Sequence, residues 1–161
     1  MALGRSCRAA LVASKNQVIG GKRLALALQS IEHKITNASV LRMGFLEGSK
    51  DPTGMSNAQK AFWAEYGTVN APARPAFRTT IAQQSPTWGR KLGLAVKATN
   101  YDGAKALALL GQSMRDDLES SIAQWSTPPN APSTIAKKGF NKPLVDKGDM
   151  QRAPDYEVKP K

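Results

Sequence analysis

The sequence predicts an α+β fold, from two kinds of periodicity and from their order along the chain. Apolar residues recur at helical spacings of three and four over long stretches, and two short stretches are typical of strands. These strands do not alternate with helices as βαβ units require, which argues against a parallel sheet. A chain of 161 residues most simply holds one domain. We place it at residues 22–161, after a basic N-terminal arm at 1–21.

The first predicted helix covers residues 22–37. Its apolar residues are spaced by four, three and four positions, at Leu24, Leu28, Ile31 and Ile35. A second, shorter helix begins at Ser56, because Ser56 and Gln59 have the spacing of a capping box. We expect Gly67 to end it in a left-handed cap.

The stretch APARPAFR (71–78) holds two prolines and predicts a stiff turn, since the residue before each proline is pushed to extended geometry. Another helix is expected to begin at Ser85 and Pro86, with serine as its cap and proline at its first position. It would place Trp88, Leu92 and Val96 on one face.

The clearest helix is 102–125, where Asp102 is a favourable N-cap. Its apolar side steps by three or four residues throughout, at Leu107, Leu110, Met114, Leu118, Ile122 and Trp125. The pair Pro128-Pro129 ends it. Two strands are predicted, one within VLRMGFLEG (40–48) and one at DYEVK (155–159).

The segment 127–150 is rich in proline, glycine and lysine, yet it also carries apolar residues along its length. A disordered linker or a nucleic-acid arm would not need the apolar residues Ile135, Phe140, Leu144, Val145 and Met150. We therefore expect an extended but ordered loop that returns the chain from the long helix to the sheet.

The formal net charge is +11 and the pI is near 10.0. Two stretches, 1–23 and 71–99, hold five basic residues each and no acidic residue. Such stretches favour a polyanion or an acidic protein surface as partner. A solvated basic face without a partner is the simpler alternative.

The sequence offers no constellation for catalysis. His33 and Cys7 are the only histidine and cysteine, so neither a Ser–His–Asp arrangement nor a His–Cys metal site has support. The carboxylate pairs Asp116-Asp117 and Asp146/Asp149 suit ion pairs and turns better than a metal. We expect no enzyme, no cofactor and no metal. No stretch resembles a membrane span of roughly 20 apolar residues, and the N-terminus does not read as an export signal.

Nucleic-acid binding remains open as a second hypothesis. Trp88 with Arg90 and Lys91 would combine base stacking with phosphate contacts. Trp88 also belongs to an apolar helix stripe, and core packing is the preferred interpretation of it over base stacking. No zinc-finger or RNP-type motif indicates specific readout.

Four stretches, in this order, resemble the neck and tail-completion proteins of tailed bacteriophages, a virion-morphogenesis family. They are MGFLEG (43–48), AEYGT (64–68) followed by APARPAFR (71–78), PPNAPSTIAKKG (128–139), and NKPLVDKGDM (141–150). The chain departs from the family pattern at Lys147, where the family has threonine, and at Ala76, where it has an aromatic residue. It also has Arg152-Ala153-Pro154 where the family enters its last strand through serines.

The resemblance implies a small α+β subunit whose antiparallel sheet is packed by helices. It implies assembly of identical subunits into a ring of about six, or about twelve, around a DNA channel. The neighbours would be the head connector or adaptor on one side and the tail terminator or tail tube on the other, with genomic DNA in the channel. The location implied is the virion neck, after synthesis in the host cytoplasm, with no catalysis and no membrane. The alternative function is a nonspecific basic nucleic-acid-binding module.

Candidate interface and turn residues come from two of the motifs. In APARPAFR, prolines fix the backbone, so that Arg74 and Arg78 are held ready for carboxylates and Phe77 anchors the turn in the core. In PLVDKGDM, Leu144 and Val145 are expected to pack, and Pro143 is a further candidate interface or turn residue. Asp146 is expected to cap a turn in which Gly148 takes a positive φ.

Overall fold

The computed structural model describes residues 21–37 and 40–159, and it confirms the α+β class. The N-terminal arm lies outside these residues, except for Gly21. The elements in chain order are α1 Gly21–Ile35, β1 Val40–Gly44, α2 Asn57–Tyr66, α3 Ala76–Ala98, α4 Gly103–Gln124, α5 Pro132–Lys138, α6 Asp149–Arg152 and β2 Asp155–Lys159.

Helices α3 and α4 form an antiparallel hairpin that contains the core. The start of α3 meets the end of α4, where Ala76, Leu118 and Ile122 are buried together with Leu144. Asp102 caps α4 as the sequence predicts, because its carboxylate accepts a hydrogen bond from the backbone N–H of Lys105 at 3.1 Å.

The helix expected to begin at Ser85 is not separate. Helix α3 runs through Pro86 without interruption, from Ala76 to Ala98. Proline removes one backbone hydrogen bond from a helix interior, but the buried residues Thr80 and Ala95 lie on either side of it. Packing along the whole hairpin therefore outweighs the local preference for a new helix start.

Strands β1 and β2 pair in antiparallel register, with Leu41 opposite Val158 and Met43 opposite Tyr156. Both strands were predicted. A two-stranded sheet is marginally stable alone, and here it packs on α4 at Gly111. A Cβ at Gly111 would lie 2.5 Å from the Tyr156 ring and 2.9 Å from Leu41. The absence of a side chain is what lets the sheet approach the helix.

Helix α1 forms as predicted, but its apolar stripe is not covered. Leu24 and Leu28 are 59% and 57% exposed, and no residue of α1 is buried. The helix is joined to α4 mainly through Asn37, whose amide donates to Asp102 Oδ1 at 3.0 Å and whose Oδ1 accepts from Ala104 N at 2.8 Å.

The segment 127–150 is ordered, but it is not a simple extended loop, because it contains α5 and begins α6. Pro132 opens α5 at a first-turn position and Gly139 ends it in a left-handed cap. Leu144 is buried and Met150 packs against the core, whereas Phe140 is exposed.

Candidate protein-interaction site

Glu65 joins two of the motif segments into one unit. It lies on α2 and is buried, and its carboxylate accepts hydrogen bonds from the backbone N–H groups of Phe77 (3.0 Å) and Arg78 (3.2 Å). The Arg78 side chain donates to the same carboxylate at 2.7 Å. The first N–H groups of a helix have no partner within it and favour a negative charge. Glu65, a residue of α2, therefore caps the N-terminus of α3.

Gly67 makes the turn between these segments possible. Its φ of 79° and ψ of 175° differ from the left-handed cap that we expected and belong to a region that is essentially restricted to glycine. A Cβ there would lie 2.8 Å from the backbone nitrogen of Ala73. The neighbouring backbone is fixed by a hydrogen bond from Arg74 N to the carbonyl of Ala64 at 2.6 Å.

Arg74 ties this turn to the segment 127–150. Its guanidinium donates to the carbonyl oxygens of Pro128 and Pro129 at 3.1 and 3.2 Å, and burial lowers the pKa of Arg74 from its usual value. The sequence suggested a carboxylate partner for this arginine. Instead, Arg74 bonds two backbone carbonyls of its own chain, so its visible role is to hold two motifs together.

Phe77 and Leu144 bring the arginine–proline motif and PLVDKGDM together in the core. The Phe77 ring packs against Phe45 with centroids 5.2 Å apart, as expected for an anchor. Arg74, Phe77 and Leu144 line the same narrow internal space, and Pro143 is buried beside Leu144.

The turn at 146–149 differs in part from the expectation. Gly148 has a positive φ of 83°, as predicted, and it precedes the short helix α6, which was not predicted. Asp146 is exposed, and no hydrogen bond to its carboxylate is formed within residues 21–37 and 40–159, so its expected capping role is wrong. Cations close the turn instead: Lys138 Nζ donates to the carbonyl of Val145 at 2.7 Å, and Arg152 donates to that of Lys147 at 3.1 Å.

An exposed aromatic surface covers the outer side of α2. We define it by Phe62, Trp63 and Tyr66, which are 59%, 40% and 64% exposed. The Phe62 and Tyr66 rings lie 4.7 Å apart, and the guanidinium of Arg78 lies 5.1 Å from the centre of the Tyr66 ring. Tyrosine, tryptophan and arginine are the residues most often found at the energetic centres of protein interfaces.

Hydrophobic periodicity does not reveal this surface, because two of the three buried positions of α2 are polar. The inner positions of α2 are Asn57, Ala61 and Glu65, each four residues apart. Since these positions take up the side that faces the core, Phe62 and Tyr66 must point away from it.

The structure does not assemble the stacking site considered for nucleic acid. Trp88 is half-buried with its Nε1 shielded from solvent, and Lys91 pairs with Asp117 at 2.9 Å. Arg90 alone of the three is exposed without an ion pair among the residues described.

Other possible chemistry is limited within the described part of the chain. It holds no group of three or more metal-ligating side chains, and His33 is exposed on α1. None of its helices combines the length and apolar character needed to cross a membrane. A groove of about 390 Å³ between α3 and α4 is lined mainly by Thr, Ser and Gln side chains and contains none of the candidate residues.

Comparison of the chain with protein-family models, curated proteins and solved structures finds no match.

Proposed function

We propose that this chain is a structural protein of a tailed-phage virion that takes part in joining head and tail at the neck. Its partners are identical subunits in a ring and the connector and tail proteins on either side, with genomic DNA in the channel. The proposal has two supports: the order of motifs along the sequence and the way those motifs are used in the fold.

The observation that carries the proposal is the junction built on Glu65. The segments that resemble the phage family are scattered over residues 43–150, yet they converge through Glu65, Arg74, Phe77 and Leu144. The same junction places Arg78 beside Tyr66 of the exposed aromatic surface. A motif set that shapes an exposed aromatic and arginine surface suits a protein that binds other proteins.

The test is to locate the protein in assembled particles. Mass spectrometry of purified virions and immunogold labelling are expected to place the protein at the neck. Loss of the gene is expected to leave filled heads and free tails that do not join. Absence of the protein from purified virions, or normal particle yield without it, would contradict the proposal.

A nonspecific nucleic-acid-binding module is the second candidate, and the net charge of +11 favours it. Exposed cations without an ion pair in the described residues, such as Arg42, Arg90 and Lys97, are available for phosphates. For a basic DNA-binding protein, the logarithm of the affinity for duplex DNA falls linearly with the logarithm of the salt concentration. Tight binding with a steep salt slope, together with absence from virions, would favour this function over the first.

A further inference from the structure

We infer that the exposed apolar face of α1 docks on the exposed aromatic surface of a second copy of this chain. This inference rests on the proposed function, since it names the surfaces through which identical subunits meet. We define the α1 face as Leu24, Leu28, Ile31 and Ile35.

The first argument is that the residues the structure describes leave the apolar side of α1 largely exposed. A helix of 15 residues is marginal in water unless its apolar side is covered. Leu24, Leu28 and Ile35 are 59%, 57% and 41% exposed, and Ile31 is only half-buried. The helix is attached at its C-terminal end, through Asn37 and the start of α4.

The second argument is position. Helix α1 lies at the closed end of the α3–α4 hairpin, beside Asp102, whereas α2 lies at the open end, against the first turn of α3. Helix α4 has 22 residues, so the two ends are about 30 Å apart at 1.5 Å per residue. Since Leu24, Leu28, Phe62 and Tyr66 are all more than half exposed, the α1 face does not cover the aromatic surface of its own chain.

The third argument is charge. Helix α1 carries Lys22, Arg23 and Lys34 against the single acidic residue Glu32, so two α1 helices packed on each other would bring like charges together. Both charged residues of α2 are already neutralised, Lys60 by Asp51 and Glu65 by Arg78. An α1 helix thus meets less repulsion on α2 than on another α1.

The fourth argument is that only a contact between unlike surfaces covers both of them. Contacts between two α1 helices would leave the aromatic surfaces open, and contacts between two aromatic surfaces would leave α1 open. One contact between unlike surfaces covers both, and because it is head-to-tail it leaves a free end on each side for the next copy.

The expected contact is small. Aromatic side chains bury about 150–250 Å² each when fully covered. From the exposure of Phe62, Trp63 and Tyr66, roughly 300 Å² of aromatic area remains to be buried. A standard interface buries about 800 Å² on each partner. Association through one contact is therefore expected to depend strongly on concentration.

Two double variants test the contact. Leu24→Glu/Leu28→Glu disables the α1 face, and Phe62→Glu/Tyr66→Glu disables the aromatic surface. In sedimentation velocity over a concentration series, the unmodified chain is expected to self-associate, and each variant alone to associate at least about tenfold more weakly. The double variant Gln29→Glu/Gln112→Glu adds the same two negative charges at exposed positions of α1 and α4 outside the two surfaces, and it is expected to change association little. Circular dichroism establishes that each variant is folded.

Mixing the two double variants is the decisive measurement. Each retains the surface that the other has lost, so an equimolar mixture is expected to form dimers of one chain of each kind and nothing larger. A monomeric mixture, or a variant that still associates like the unmodified chain, would overturn the contact. An unmodified chain that stays monomeric at all concentrations would overturn it too.

A cysteine pair keeps the test valid if a variant fails to fold. With Cys7→Ser as background, chains carrying Leu28→Cys and chains carrying Phe62→Cys are mixed and oxidised, and mixed dimers are expected in excess over like pairs. An excess of Leu28→Cys pairs would overturn the contact in favour of packing between two α1 helices.

Two further measurements distinguish this contact from cover of α1 by the N-terminal segment and from the proposed function itself. Removal of residues 1–20 is expected to leave association unchanged. Association that appears only after this removal would assign the cover of α1 to the N-terminal segment instead. Oligomers that persist in both double variants, in a protein located at the virion neck, would leave the proposed function standing and reject only this contact.

Discussion

Glu65 shows how one side chain connects distant parts of the sequence. Its carboxylate caps α3 and pairs with Arg78, although neither interaction lies within its own helix. Since the side chain of Glu65 is 10% exposed and that of Arg78 is 58% exposed, removing Glu65 leaves the arginine in solvent. What is lost is mainly the cap and its charge.

We predict that Glu65→Ala destabilises the protein by about 2 kcal/mol, the cost of losing a charged cap and the hydrogen bonds that it accepts. Urea unfolding measures the change. Asp116→Ala is the matched control, because Asp116 pairs with the adjacent Arg115 at the surface, and its loss is expected to cost less than about 0.5 kcal/mol. Equal effects of the two substitutions would contradict the capping role.

Gly67 carries a backbone requirement that no other amino acid meets. We predict that Gly67→Ala costs about 1–3 kcal/mol, since its φ is 79° and its Cβ would meet Ala73 N at 2.8 Å. Gly89→Ala is the opposite case, because nothing lies within 4 Å of a Cβ there and alanine favours a helix interior. It is expected to add about 0.5–1 kcal/mol of stability. Chemical unfolding of both variants measures the contrast, and a neutral Gly67→Ala would count against the strained turn.

At the scale of elements, periodicity predicted most helices and both strands but did not show which faces are covered. The stripe Leu24–Leu28 has the same spacing as Leu118–Ile122, yet only the second is buried. The spacing of apolar residues predicts that a helix has an apolar face. Whether that face is buried depends on which other elements of the chain pack against it.

The remaining differences have the same origin. Ser85-Pro86 is a favourable local start, but packing of the α3–α4 hairpin keeps one helix through it. Arg78 was expected to bind a carboxylate and it does, but its partner Glu65 lies 13 residues away, where no local pattern identifies it. The motifs propose the candidate residues as a set, whereas the contacts of these residues depend on tertiary structure.

The segment 127–150 offers an element-scale prediction from two adjacent lysines. Lys138 donates to the carbonyl of Val145 at 2.7 Å and joins the end of α5 to the buried Leu144 region. Lys137 is exposed and forms no hydrogen bond within the described residues. We predict that Lys138→Ala costs about 1 kcal/mol, while Lys137→Ala changes stability little. Thermal and urea unfolding measure both, and indistinguishable variants would show that Lys138 does not close this segment.

At the scale of the whole molecule, two carboxylates hold the two ends of the hairpin. Asp102 links α1 to α4 through Asn37, and Asp51 anchors the loop before α2 through Lys60 and Thr53. The hydrogen bond from Asn37 is the largest cause that lowers the pKa of Asp102 below its ordinary value of 3.8, followed by that from Lys105 N. The pKa of Asp51 is also lowered below its ordinary value. The hydrogen bond from Lys60 is the largest cause, and the hydrogen bond from the Thr53 side chain is the second.

Because both pKa values are lower in the folded protein than in the unfolded chain, both carboxylates stabilise the fold above the ordinary value of 3.8. This stabilisation is lost as the pH falls through the folded values. We predict that Asp51→Asn is less stable than the unmodified protein at neutral pH and that the difference shrinks as the pH falls below about 4. Urea midpoints measured from neutral pH to about pH 3 test this. Asp146→Asn is the control, since the Asp146 carboxylate accepts no hydrogen bond from the described residues, and its curve is expected to follow that of the unmodified protein. A difference for Asp51→Asn that stays constant over this range would show that the charge of Asp51 does not anchor the α2 end.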